Sequence, residues 1–161
     1  MPWSVVAEVP GGNRLGIDWG KARIGVAACN RGTTIAYPVE TVAAGATALG
    51  RLVQLVAEYE PGIVYVGLPL TLQGERGPAA QHVLARVAEL EAMIAPTPVR
   101  LVDERMSTVQ ASRSLGTAGR NTRSQRGVID QAAAVEILQR ALDRELADGR
   151  PAGLAAEGGV S

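Results

Sequence analysis

Three acidic positions stand where an apolar run stops or a helical pattern begins. Leu15 to Ile17 ends on Asp18, Val99 to Val102 ends on Asp103-Glu104, and Asp130 follows Val128-Ile129. A carboxylate at the end of a buried run is costly unless it is paired or bound to a cation. Each also has a plain structural explanation. Asp18 could bond its own turn backbone, Asp103 or Glu104 could be a solvated strand end, and Asp130 could favour a helix N-terminus. Converging on one edge, they point to a shared cation. Carboxylates without accompanying histidine or cysteine suit hard, oxygen-seeking ions such as Mg²⁺ or Mn²⁺.

The basic residues are segregated around these acids. Between Arg105 and Ile129 there is no acid, while Arg105, Arg113, Arg120, Arg123 and Arg126 all fall there. Lys21, Arg23 and Arg31 lie in a second acid-free tract, Trp19 to Val39. These residues could simply be solvated; flanking an acidic centre, they fit contacts to a phosphate-bearing substrate. Phe is absent and only Trp19 sits near the acids, so recognition through backbone and shape is expected over a stacking platform. One histidine, His82, placed in a helix, offers no Ser-His-Asp arrangement. The single cysteine, Cys29, excludes an internal disulfide and a thiolate zinc cluster, reads as a small buried side chain, and fits a reducing cytoplasm.

The elements that must position these residues follow from the apolar pattern. Leu15–Ile17 and Ile24–Ala28 flank the turn D-W-G-K, predicting strand, tight turn, strand. Gly16, Gly20 and Gly25 allow close approach, with positive φ available to Gly20 in the turn. A third strand is expected over Thr33–Val42. A helix carries Leu49, Leu52, Val53, Val56 and Tyr59 on one face and stops at Pro61-Gly62. Ile63–Val66 reads as a strand covered on both sides, followed by a loop from Gly67 to Pro78. Val83, Val87, Leu90 and Ile94 mark a second helix, and Val99–Val102 the fifth strand. Ser107 with Gln110 resembles a capping box for a further helix. A last helix starts near Val128 with Val135, Leu138, Leu142 and Leu146 on its buried face.

The 161 residues, 47% hydrophobic and of zero formal net charge, are enough for one globular domain. Residues 1–13 read as a flexible lead-in, 14–147 as the domain and 148–161 as a disordered tail. No apolar run is long enough for a membrane span, and the N-terminal residues lack the character of a signal peptide. The fold class expected is α/β, a five-stranded mixed sheet of three antiparallel and then two parallel strands with helices on both faces. In such sheets, sites form beyond the carboxyl ends of the strands.

L-G-I-D-W-G-K-A-R-I-G-V-A, V-G-L-P-L-T-L-Q-G-E-R-G-P, L-V-D-E-R-M-S-T-V and V-I-D-Q-A-A-A-V-E-I-L, in that order, closely resemble the YqgF/RuvX family of bacterial nucleases. The likeness runs from about Arg14 to Leu142. It implies a ribonuclease-H-like fold and an activity described for the family either as maturation of the 5′ end of 16S ribosomal RNA or as Holliday-junction resolution. It also implies that Asp18, Glu104 and Asp130 are metal-binding carboxylates, with Lys21, Arg23 and Arg105 near the site; Arg123 and Arg126 are assigned to its basic rim by the charge pattern alone. Strand-end alternation leaves Asp103 or Glu104 open; Glu104 is favoured for its reach.

The mechanism implied is phosphodiester hydrolysis with two Mg²⁺ or Mn²⁺ ions. The expected partner is nucleic acid, either precursor rRNA, alone or in ribosomal particles, or branched DNA. The protein would act as a monomer or a homodimer, with no membrane partner. A one-lobed chain argues against an ATP-clamping enzyme of the actin/hexokinase type, and the intact acids argue against a non-catalytic nucleic-acid-binding module. Two features depart from the family pattern. Trp19 stands where a small or β-branched residue is expected, and A-A-C-N-R-G replaces a Ser-Asp type of turn.

Overall fold

The computed structural model describes residues 12–104 and 123–156; of residues 123–129 only the backbone is described. The helix predicted from Ser107 lies outside the described residues. Strand β1 (Asn13–Trp19) turns directly into β2 (Arg23–Cys29), antiparallel, with Asp18 paired to Gly25. At the turn, the Gly20 N–H donates to the Arg23 carbonyl at 3.0 Å. Gly20 is not in the positive-φ region. Its lack of a side chain serves close approach instead, because a methyl there would lie 2.5 Å from the Arg23 carbonyl oxygen.

Strand β3 (Tyr37–Ala43) pairs antiparallel with β2 and starts four residues later than predicted. The backbone before it is held by a side chain rather than by the sheet. Gln139 accepts from the Ala36 N–H at 2.9 Å and donates to the Thr34 carbonyl at 2.7 Å. Helix α1 (Ala48–Tyr59) ends at Glu60, whose left-handed backbone lets its N–H reach the Val56 carbonyl. Pro61 then opens strand β4 (Pro61–Leu68), parallel to β1 and buried on both faces. Helix α2 (Pro78–Ile94) has proline in its first turn. It leads to β5 (Val99–Asp103), parallel to β4, and then comes helix α3 (Arg123–Asp148).

Among the described residues the sheet has six strands, in the order β3-β2-β1-β4-β5-β6, one more than the apolar pattern predicts. The sixth, β6 (Leu154–Ala155), comes from the stretch read as tail and pairs antiparallel with β5. Polar anchors hold it there. Arg100 donates to the carbonyls of Ala152 and Gly153 at 2.5 and 2.6 Å, and the Ala152 N–H donates to the Tyr65 hydroxyl at 3.1 Å. Such side-chain partners are invisible in the local apolar pattern that a tail reading rests on.

Strand alternation sorts the core into two layers. Leu15, Ile17, Trp19, Ile24, Val64 and Val66 face α1 and α2, while Ala27, Cys29, Ile63 and Tyr65 face Ala134, Leu138 and Ala141 of α3. Cys29 is buried, as expected. Leu146 is not on the buried face of α3 but 75% exposed. The helix packs through alanines, so close to the sheet that a methyl on Gly16 would sit 2.6 Å from the Leu138 Cβ. Beyond Leu142 that contact is made by Glu145 instead, whose carboxylate accepts from Arg14 at 3.0 Å. Among the described residues no helix is long and apolar enough to cross a membrane.

Candidate functional site

The site is built outward from Asp18. Gly16 faces α3, so Asp18, two residues along the same strand, faces α3 as well. It is 4% exposed, at the carboxyl end of β1. On one side its register partner is Gly25 of β2. On the other, the parallel pairing of Ile17 with Val66 brings Gly67 of β4 beside it. Asp18 therefore lies between two strand residues that have no side chains.

Both vacated spaces are filled by groups carrying the other candidate acids. A methyl on Gly25 would overlap the main-chain carbonyl oxygen of Asp130, so the opening of α3 presses against the strand beside Asp18. A methyl on Gly67 would overlap Oε2 of Glu104 and come within 2.5 Å of Cδ1 of Ile137. The Glu104 carboxylate is thus on the α3 face. Its N–H donates to the Leu68 carbonyl at 3.3 Å, continuing the β4–β5 ladder by one residue. Asp103 pairs with Leu68 and alternates with Glu104, so its side chain starts from the other face of β5. Gly25 was legible in the sequence as a close-approach glycine. Gly67 was missed, because its run continues as strand two residues beyond the expected end.

Asp130 is 9% exposed, and its Oδ2 accepts from Nε of Arg23 at 2.9 Å. That ion pair connects the first residue of β2 to the first turns of α3, and it makes Arg23 a neighbour of the acids rather than an outlying rim residue. The adjacent Gln131 donates to Oγ1 of Thr41 at 2.9 Å, tying α3 to β3 as well. Lys21 is exposed on the β1–β2 turn. Arg105 lies outside the described residues, and Arg123 and Arg126 open α3, where no side chain is described. His82 is half-buried in the first turns of α2, on the far side of the sheet from Asp18.

The donors fit Mg²⁺ or Mn²⁺ in kind: three carboxylates, all oxygen, on one face at one sheet edge. They share that edge without forming a ready-made cage. Among the described residues no group of three His, Cys, Asp or Glu side chains is gathered tightly enough to hold an ion. At Gly67 an oxygen of Glu104 takes the place of a Cβ beside Asp18.

A family model described as "RuvX: Holliday junction resolvase" matches residues 12–144. The chain is 56% identical over 133 residues to a Cutibacterium acnes protein described as "Putative pre-16S rRNA nuclease", covering 83% of each. It is 56% identical over 144 residues to a Streptomyces coelicolor protein of the same description, covering 88% of this chain and 86% of that one. Among solved structures it resembles RuvC of Thermus thermophilus, in a complex with a Holliday junction substrate, with a TM-score of 0.53 at 18% identity. That match covers 88% of this chain and 99% of the other, a likeness of fold that bears out the ribonuclease-H-like expectation. With its family model spanning β1 to α3 and relatives above half identity along most of its length, the chain belongs to the RuvX family.

Proposed function

We propose that this protein is a divalent-metal-dependent nuclease that hydrolyses phosphodiester bonds in structured nucleic acid, maturing the 5′ end of precursor 16S rRNA in the cytoplasm, on free RNA or within ribosomal particles. The observation that carries this reading is Asp18 seated between Gly25 and Gly67, with Asp130 and Glu104 occupying the two glycine spaces on the same face. The names carried by the relatives support the rRNA substrate.

In this reading Asp18, Glu104 and Asp130 hold the metal ions. Bound Mg²⁺ or Mn²⁺ would supply an activated water and stabilisation of the leaving oxygen. Asp18 is fixed in place by the strand on each side of it and by the weight of α3 above. Arg23 orients the Asp130 carboxylate through its 2.9 Å hydrogen bond. Its guanidinium also contributes positive charge next to where a scissile phosphate would lie. Lys21, together with Arg105, Arg123 and Arg126, would neutralise neighbouring phosphates and fix the register of the strand.

The test is a cleavage assay run side by side on a precursor-rRNA 5′ leader and a four-way DNA junction. Mg²⁺-dependent cutting of the leader, removed by EDTA and by Asp18→Asn while folding and binding persist, is the expected outcome. An Asp18→Asn variant that cuts normally would falsify the site assignment. The family model's description favours a second reading, junction resolution on DNA. That chemistry needs paired nicks from a two-fold dimer, so symmetrical cutting of the junction by a dimeric species would select it.

A further inference from the structure

We propose that the cleft at the β1–β2 turn, on the sheet face opposite Asp18, is a binding pocket for a single nucleotide. The nucleobase would lie against the Trp19 wall and the phosphate against Arg86, His82 and the start of α1. The cleft has a volume of about 400 Å³ and is lined by Trp19, Lys21, Ile24, Leu49, His82 and Arg86 among others. That volume suits a small organic ligand. It also gathers the two residues left without a role by the nuclease reading, Trp19 and the single histidine.

Three features select a nucleotide. The wall is apolar and includes an indole: Trp19 and its register partner Ile24 belong to the α1/α2 core layer, and Trp19 still borders the cavity though only 8% exposed. Such a wall suits a flat aromatic base. The rim carries Lys21, Arg86 and His82 against one acid, Glu89, which already accepts from Nε of Arg86 at 3.0 Å. Finally, Ala46, Ala48 and Leu49 at the start of α1 also line the cleft, and Thr47 makes no side-chain cap there. The Ala48 N–H donates to the Gly45 carbonyl at 3.2 Å; beyond it, first-turn N–H groups at such an end attract a phosphate. Inorganic phosphate alone would leave the indole wall wet, and an apolar ligand would leave Lys21, Arg86 and His82 facing apolar surface.

The nucleotide could be free in solution or an unstacked nucleotide of the nucleic-acid substrate; only the second source rests on the nuclease reading. The chain has two tryptophans, Trp3 and Trp19, so a Trp3→Phe background makes fluorescence report on Trp19 alone. Adenosine 5′-monophosphate titrated in EDTA should give saturable quenching. In Arg86→Ala the affinity should fall about tenfold to a hundredfold, as expected for loss of a charged hydrogen bond. Adenosine and inorganic phosphate should each bind more weakly. Absence of saturable quenching, or equal affinity in Arg86→Ala, overturns the pocket.

The source is then read from cleavage kinetics. Competition by the mononucleotide, with Arg86→Ala raising KM at constant kcat, identifies a substrate nucleotide. Quenching without effect on KM identifies a free one. A protein that binds the mononucleotide but cuts no substrate would sink the nuclease reading and leave the pocket standing.

Discussion

At the scale of single residues, the site depends on two missing side chains, and the two are unequal. At Gly67 a methyl would meet the far ends of flexible side chains, Oε2 of Glu104 and Cδ1 of Ile137. Both can swing away, so Gly67→Ala should cost stability on the order of 1–3 kcal/mol, the usual range for mild overpacking. It should nevertheless lose most cleavage activity, because Glu104 has been pushed from Asp18. At Gly25 the obstacle is the Asp130 main-chain carbonyl, which can move only if α3 moves. Gly25→Ala should therefore unfold at much lower urea than Gly67→Ala. Urea melts of both variants, each paired with a cleavage assay, check the contrast; equal destabilisation would mean that α3 does not press on β2 at this point. The proposed acids stand out in the sequence, since a carboxylate closing an apolar run is conspicuous. Which of Asp103 and Glu104 turns toward Asp18 was not legible there, because alternation at a strand end needs to know where the ladder stops.

At the scale of elements, the far end of α3 is fastened by a buried polar group that no local pattern reveals. Arg14 of β1 bonds Glu145 through both Nε and a terminal nitrogen, at 3.0 and 3.2 Å. The Tyr65 hydroxyl donates to the same carboxylate and accepts from the Ala152 N–H. Tyr65 belongs to a run correctly read as a doubly covered strand, but its partner lies 80 residues away in sequence. The same long separation hid β6. Burial, followed by the hydrogen bond to Glu145, raises the Tyr65 pKa above its ordinary value of 10.0. A raised folded pKa means that the stabilisation is complete below the unfolded value and is lost as pH climbs through the folded one. Tyr65→Phe should destabilise the fold by about 1–3 kcal/mol at neutral pH, since it leaves a half-buried carboxylate and an N–H short of a partner. The gap between wild type and variant should narrow as pH rises beyond 10.0. Denaturant titrations across that range measure it, and a gap that widened with alkali would contradict the assigned network.

At the scale of the whole molecule, a formal charge of zero conceals a polarised distribution. One acid-free tract, Trp19 to Val39, contains the β1–β2 turn, and the other, Arg105 to Ile129, runs into the start of α3. Asp18 and Asp130 are buried, while Lys21 is exposed on the β1–β2 turn and Arg23 bonds Asp130, so the described cations of the first tract lie beside the acids. Nucleic-acid affinity in such a protein should depend steeply on salt even though its net charge predicts no attraction, because counterions are released locally where phosphates meet cations. On duplex substrate, the logarithm of the binding constant should fall with the logarithm of salt by about 0.9 per phosphate neutralised. Lys21→Gln and Arg123→Gln should each reduce that slope by about one and weaken different sequences alike. Asp18→Asn removes a buried negative charge without removing a phosphate contact, so its slope should match wild type. Binding isotherms of the three variants over a salt series, recorded without divalent ions, separate rim from centre. A flat salt dependence in the wild type would detach the basic tracts from recognition and leave only the metal ions to hold the phosphate backbone.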